Sequence, residues 1–264
     1  MTSRGTSGRN ARMTSLVQKK FGEAAADYAA SSVHAQGESL ARLVALVEPK
    51  PSWRMLDVAT GAGHTALAFA PYVAKVTASD ITDQMLAEAK RLASERGASN
   101  VKTARAKAED LPFPDMSFDL VTCRLAAHHF TSQRAFVAEA YRVLMPGGLL
   151  AVVDNISPDE RELARAYNNF EKLRDPSHGR CLGLAEWTAL LDDAGFIVAH
   201  SEQMDQPIEF GPWTKRMRCD SPTVARLKAM LGDEPLRSFL RPRQGEHDLV
   251  FTLQEAIIVA RRSL

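Results

Sequence analysis

LDVATGAGHTALAF, residues 56–69, is the stretch on which the reading of the fold turns. The run WRMLDVA (53–59) is short and apolar, as a strand covered on both faces requires. It breaks at the glycine pair Gly61 and Gly63, and His64 to Ala70 then reads as a short helix. A strand, a glycine turn and a helix in succession open a βαβ unit, and a turn without side chains lets a ligand come close to the backbone. GAGHTA (61–66) fits the pattern G-x-G-x-x-G/A, with Ala66 in the last place.

Outward from the turn the alternation continues. KVTASD (75–80) reads as a second strand ending in an acid. A helix starts near Thr82 or Asp83, places Met85, Leu86, Ala89, Leu92 and Ala93 on one face, and stops at Gly97. VKTARA (101–106) and FDLVTC (118–123) are the third and fourth strands. Thr131 or Ser132 caps the next helix, whose face is Phe136, Ala140, Val143 and Leu144. MPGG (145–148) ends that helix, and LLAVVD (149–154) is the fifth strand. Strands alternating with helices predict a mostly parallel sheet with right-handed crossovers, which binds ligands at the carboxyl ends of its strands.

Beyond residue 155 the pattern changes. Residues 155–184 read as helical and polar, and Trp187, Leu190, Leu191 and Ala194 form a further helix face. FIVAH (196–200) and EAIIVARR (255–262) are strands, and the Arg- and Pro-rich stretch 207–248 between them has the position of an inserted cap.

Charge is balanced, with 33 basic and 32 acidic residues and a formal net charge of +1, so no global field recommends a nucleic-acid or anionic-membrane partner. Cys123, Cys181 and Cys219 are far apart, which fits a reduced, cytoplasmic compartment and predicts no metal site. No apolar run approaches the length of a membrane span. The first twenty residues, MTSRGTSGRNARMTSLVQKK, are rich in Arg and Ser and lack acids, the composition of a transit peptide or a disordered tail. Residues 1–15 are read as a tail.

Three ligands compete for the glycine turn. A nucleoside triphosphate requires a P-loop lysine, and no Lys follows Gly63 until Lys75. A dinucleotide fits better, because Asp80 lies about 20 residues on, where a ribose-binding acid belongs. Asp57 discriminates. A pyrophosphate beside its carboxylate would be repelled, whereas S-adenosylmethionine carries an ammonium and a sulfonium and no phosphate. Asp57 as a loop cap, bonding backbone N–H groups, is the competing reading.

LDVATGAGH, Asp80 at a strand end, AEDLPFPDMSFDLVTC and EAYRVLMPGGLLAVVD occur in this order over residues 53–154. In these blocks the chain resembles the class I S-adenosylmethionine-dependent methyltransferases, and within them the type 11, ubiquinone/menaquinone-biosynthesis-like subgroup. The resemblance implies a Rossmann-like, doubly wound α/β fold, a mostly parallel sheet with an antiparallel final strand, and a helical cap insertion. It implies one domain over 16–264: N-terminal helices 16–50, a cofactor-binding core 51–155, insertions at about 156–184 and 207–248, and final strands at about 196–203 and 254–262. The implied activity is methyl transfer to a small-molecule acceptor by in-line displacement, with S-adenosylhomocysteine as product. A non-catalytic cofactor-binding protein and an RNA or protein methyltransferase are the alternatives.

Site roles follow from the same resemblance. Asp57, Ala59, Gly61 and Gly63 would lie against the methionine part of the cofactor, with Ala59 standing where the family often has glycine. Asp80 would bond the ribose hydroxyls. Ile81 would pack on the adenine, and Met85 is either a further contact or core. Ala108 would donate its backbone N–H to the ring. Lys107 stands where an Asp or Asn commonly accepts from the adenine amino group and cannot accept while charged, so Glu109 or a backbone carbonyl takes that place. Arg124 would line the floor below the methyl group. His128 and His129 either supply a base or simply hold the loop. Tyr28 and His34 upstream, and Arg174, His178, Trp213 and Arg216 downstream, are the acceptor-site candidates.

Overall fold

In the computed structural model, which describes residues 14–23, 25 and 37–264, the expected alternation becomes one sheet. Its strands are β1 (Arg54–Val58), β2 (Lys75–Asp80), β3 (Val101–Arg105), β4 (Phe118–Arg124), β5 (Leu144–Asn155), β6 (Phe196–Glu209), β7 (Arg243–Gln244) and β8 (Leu249–Arg262). Their order is β3-β2-β1-β4-β5-β8-β6, with β7 added to β8. The first five run parallel, and β8 lies antiparallel between β5 and β6. The order reverses between β1 and β4, and at such a switch point the loops above the strands part to leave a crevice.

Among the described residues the α-helices around the sheet are α1 over residues 14–23, α2 (Glu38–Val47), α3 (His64–Phe69), α4 (Asp83–Glu95), α5 (Gln133–Val143), α6 (Arg161–Arg174), α7 (Leu184–Asp193), α8 (Phe210–Arg216), α9 (Ser221–Gly232) and α10 (Leu236–Leu240). Successive residues of a strand face opposite sides. Leu56, Val58, Val121 and Val152 therefore meet Phe136, Val137 and Trp187 of α5 and α7 on one face. Met55, Val76, Leu120 and Ala151 meet Leu43, Val47 and Phe69 on the other. A separate core holds the cap: Tyr167 and Phe170 of α6 pack with Trp213, Leu227, Leu231 and Leu240.

Three boundaries differ from the sequence reading. MPGG (145–148) is not a helix stop between elements but the irregular start of β5, where the pairing with β4 shifts register between Phe118 and Leu120. The final hairpin is longer than 196–203 and 254–262, because its outer ends are covered by the cap, with Ile208, Phe251 and Leu253 in the cap core. Burial alternates along β6, so its polar outward residues mimic loop composition. Helix α1 includes Thr14 and Ser15, inside the segment read as tail, and Ser132 rather than Thr131 caps α5, accepting from the Ala135 N–H at 3.1 Å. Among the described residues no helix is long and apolar enough to cross a membrane.

Candidate active site

A cleft opens above the carboxyl ends of β1, β2 and β4. Its first wall is the turn after β1. Ala59, Gly61 and Gly63 all have left-handed backbone, with φ of 52°, 54° and 89°. The two glycines serve different ends. A Cβ on Gly61 would meet only the Met85 Sδ, at 4.0 Å, so its absence keeps the turn open. A Cβ on Gly63 would stand 3.0 Å from the Ala89 Cβ, so this glycine sets how closely α3 packs on α4 and does not line the cleft.

Asp57 also lies beneath the wall and not in it. Parallel pairing of β1 with β4 puts Asp57 beside Thr122. The Thr122 hydroxyl donates to Oδ1 at 2.6 Å and the Thr60 hydroxyl to Oδ2 at 2.5 Å, which ties the turn to two strands. The carboxyl is 1% exposed. Burial pushes its pKa up to about 6, and the two hydroxyls and the Arg124 guanidinium hold it back from rising further. The loop-anchoring role is thus present in the geometry.

Asp80, at the end of β2, does line the cleft. Its Oδ2 accepts the Gly61 N–H at 3.0 Å and its Oδ1 accepts the Thr82 N–H at 2.8 Å. A carboxylate has about four acceptor positions, and these two bonds do not exhaust them. Burial raises its pKa against the pull of these N–H groups. Ile81, Met85, Ala106, Lys107, Ala108 and Glu109 continue the wall. Glu109 Oε1 is engaged by Thr131, accepting from its N–H and its hydroxyl at 2.7 Å each, while Lys107 Nζ lies 3.9 Å from Oε2. Glu109 therefore staples the 107–110 turn to the start of α5.

The opposite wall follows β4 and contains Arg124, Leu125, Ala126, His129 and Phe130. Leu125 has φ of 54°, a strained conformation for a branched side chain, and its N–H is held by the Val153 carbonyl at 2.7 Å. Across the top lies α1, whose Thr14, Val17 and Phe21 line the cleft and whose Gln18 Nε2 donates to the Ile81 carbonyl at 3.0 Å. Phe21 meets His129 edge-on, with ring centres 4.9 Å apart.

Behind this wall the two adjacent histidines differ. His128 Nδ1 lies 2.5 Å from Asp154 Oδ1, and the His128 backbone N–H donates to Oδ2 at 2.8 Å. Burial by itself lowers the His128 pKa, but the charge and hydrogen bond of Asp154 outweigh it and the net direction is up. His129 Nδ1 faces the Ser177 carbonyl at 3.0 Å. Burial and the neighbouring His128 charge lower its pKa to about 4, so it is neutral at physiological pH. Asp154 is the last but one residue of β5, as Asp80 is the last of β2; an acid near the carboxyl end of an apolar strand was the signal for its role.

The downstream acceptor candidates are placed away from the cleft wall. Trp213 is 2% exposed inside the cap core, stacked on Phe170 at 5.2 Å. Arg174 lies over the Trp213 ring at 4.5 Å and donates from Nε to its carbonyl at 3.2 Å, so the pair braces α6 against α8. Arg216, half-buried in the last turn of α8, does not line the cleft. His178 is buried, with Nε2 2.9 Å from Asn168 Oδ1 and its ring 5.5 Å from that of His128. Charge beside aromatic residues drew attention to these segments, and cap packing accounts for Arg174 and Trp213. Tyr28 and His34 lie outside the described residues. Thr60, Thr122, Asp154 and, on α1, Thr14 and Val17 had no assigned role in the sequence reading.

A strand order with one antiparallel strand between two parallel ones, and a glycine-turn cleft at its switch point, define a class of enzyme. Residues 56–152 match the family described as the methyltransferase domain, and the chain belongs to this family: it is an S-adenosylmethionine-dependent methyltransferase. It is 40% identical over 196 residues to the methyltransferase YcgJ of Bacillus subtilis, covering 74% of this chain and 78% of that one. The crystal structure of YcgJ superposes with a TM-score of 0.81 at 34% identity, covering 86% of this chain and 98% of that one. The ubiquinone/menaquinone biosynthesis C-methyltransferase UbiE of a Marinomonas strain is 34% identical over 132 residues, or 48% of this chain and 53% of UbiE.

Proposed function

We propose that the enzyme transfers a methyl group from S-adenosylmethionine to a small-molecule acceptor held beneath the cap. One observation carries the reading: the cleft at the switch point is bounded by an open Gly61 and a carboxylate, Asp80, with acceptor positions to spare. The charged side chains bonded to the glycine turn, Asp57 and Asp80, are both acids, which suits a cationic ligand without phosphates. In this reading Asp80 holds the ribose hydroxyls, Ile81 and Met85 flank the adenine, the Ala108 N–H meets its ring, and Arg124 and the Ala59–Gly61 turn face the methionine end. When bound, the cofactor supplies a methyl group already attached to a sulfonium leaving group. In this reading the protein aligns the acceptor and excludes water, α1 lying across the cleft, and alignment alone is worth on the order of 7–11 kcal/mol in such bimolecular chemistry.

His128 is the better of the two histidines as a base. Asp154 fixes its Nδ1–H tautomer and leaves Nε2 to accept a proton, as a carboxylate–imidazole pair does in other enzymes. His129, in the cleft wall and neutral at physiological pH, has a positioning role.

Two experiments test the reading. Calorimetry with S-adenosylhomocysteine and with NAD should give saturable binding for the first alone; tight NAD binding with none for the homocysteine compound overturns it. Incubation with methyl-labelled cofactor and a metabolite extract should label a small molecule. Label confined to RNA or protein, or no label despite cofactor binding, rejects the small-molecule activity.

A further inference from the structure

The adenine of S-adenosylmethionine has one hydrogen-bond donor, its exocyclic amino group, and a donor taken out of water needs an acceptor. Among the described residues that line the cleft, two carry a carboxylate, Asp80 and Glu109. Asp80 ends β2 and holds the glycine turn. The wall continues from it through residues 106–109, just beyond β3, where the Ala106 N–H donates to the Asp80 carbonyl at 3.0 Å. With the ribose on Asp80 and Ile81 against the base, the adenine extends along this wall toward Glu109.

The two oxygens of Glu109 have different surroundings. Oε1 accepts both the N–H and the hydroxyl of Thr131, each at 2.7 Å. The carboxylate is planar and its side chain only 9% exposed, so fixing Oε1 on two donors also restricts where Oε2 lies. Oε2 has the Lys107 Nζ at 3.9 Å, an ion-pair contact outside hydrogen-bond range. That ammonium offsets a charge which would otherwise face a neutral base. Other polar groups of the wall suit the amino group less. The Lys107 side chain has only donors. Its carbonyl already accepts the Asp110 N–H at 3.1 Å. The Thr131 hydroxyl is a neutral oxygen, and a carboxylate accepts more strongly.

We propose that Glu109 Oε2 accepts from the adenine amino group, so that Glu109 selects the base of the cofactor while its Oε1 staples the wall to the start of α5. The proposal rests on the S-adenosylmethionine reading of the cleft. Because the two oxygens have separate tasks, one substitution can part them. Glu109→Gln can keep its amide oxygen on the two Thr131 donors. Its NH2 then takes the place of Oε2 and sets a donor against the donor of the adenine. A site built to bond a ligand N–H discriminates strongly against the ligand that lacks it, and loses that discrimination with its acceptor.

The test is calorimetry on the whole protein with S-adenosylhomocysteine and its 6-desamino analogue, in which hydrogen replaces the amino group and the ring nitrogens remain. The wild type should bind S-adenosylhomocysteine about tenfold or more tightly than the analogue. Glu109→Gln should abolish this preference by weakening S-adenosylhomocysteine alone, with affinity for the analogue kept within about twofold. An equal loss for both compounds would leave Glu109 a staple only and overturn the proposal. So would a preference unchanged in the variant, which would assign the amino group to another acceptor. Lys107→Met, the second variant, removes the donor beside Oε2 and should keep or widen the preference; its loss there would also overturn the proposal. If S-adenosylhomocysteine fails to bind the wild type, the underlying reading falls; if both compounds bind the wild type equally, the role of Glu109 alone does.

Discussion

Replacing Asp57 by Asn separates what the buried acid does for the fold from what it does for the ligand. In the native state its carboxyl is 1% exposed and its pKa is about 6, against an ordinary value of 3.8. At 1.36 kcal/mol per unit, a gap of roughly two units corresponds to about 3 kcal/mol. The sign follows from proton binding. Between the two values the native state holds the proton and the unfolded state has released it, so stability falls as pH rises through this window. Above the folded pKa the full cost remains. Asn has no charge to bury; its carbonyl accepts from one threonine, and its amide donates to the other, at the expense of about 1 kcal/mol for the weaker bonds. Urea unfolding at about pH 8 should therefore find Asp57→Asn more stable than the wild type by about 1–2 kcal/mol, and the advantage should vanish near pH 4. Calorimetry at about pH 8 should find S-adenosylmethionine binding weakened about tenfold, since the cationic ligand loses a buried countercharge. A variant less stable than the wild type by more than about 1 kcal/mol at the higher pH would show that the threonine hydrogen bonds outweigh charge burial and refute the reasoning.

Asp80→Ala should weaken S-adenosylhomocysteine binding at least about tenfold, read by calorimetry; unchanged affinity removes Asp80 from the ligand. Gly63→Ala adds a Cβ to a backbone with φ of 89° and to a 3.0 Å approach, so unfolding should show a loss of about 2–4 kcal/mol. Ala59→Gly, at φ of 52°, should stabilise by up to about 1 kcal/mol, since only a Cβ is removed from left-handed backbone; opposite signs at these two positions are the check. If His128 is the base, the rate of methyl transfer should rise with pH through its raised pKa, and Asp154→Asn should lower both the inflection and the rate, whereas a pH profile unchanged in His128→Ala excludes it. In folding, the same raised pKa makes the His128–Asp154 pair most stabilising below the ordinary histidine value, and the contribution is lost as pH rises through the folded one.

The five parallel strands and the helices between them are legible because each is a local pattern: an apolar run, a glycine or capping residue, an apolar stripe at helical spacing. The glycine turn and the acid at the end of β2 are legible for the same reason, their spacing along the chain being set by one βαβ unit. MPGG misleads at this level, because proline and two glycines signal a helix stop equally well when they form the irregular start of a strand. The outer halves of β6 and β8 are hidden too, since their polar residues face outward while the cap supplies the cover for the inward ones.

Local pattern along the chain therefore settles the class of sheet, the place of the cleft and the acids that stand near it. Which side of the turn each acid occupies is set by strand pairing. Asp57 goes beneath, to Thr122, because β1 pairs with β4 across 65 residues of chain; Asp80 stays in the wall because its partners, Gly61 and Thr82, are backbone N–H groups of the turn and of the start of α4. The same holds for His128, which meets Asp154 through the neighbouring ends of β4 and β5, and for Trp213 and Arg174, which cap packing draws away from the cleft. Periodicity reports which face of an element is apolar, but partners far apart in sequence are chosen by strand order and by the packing of layers.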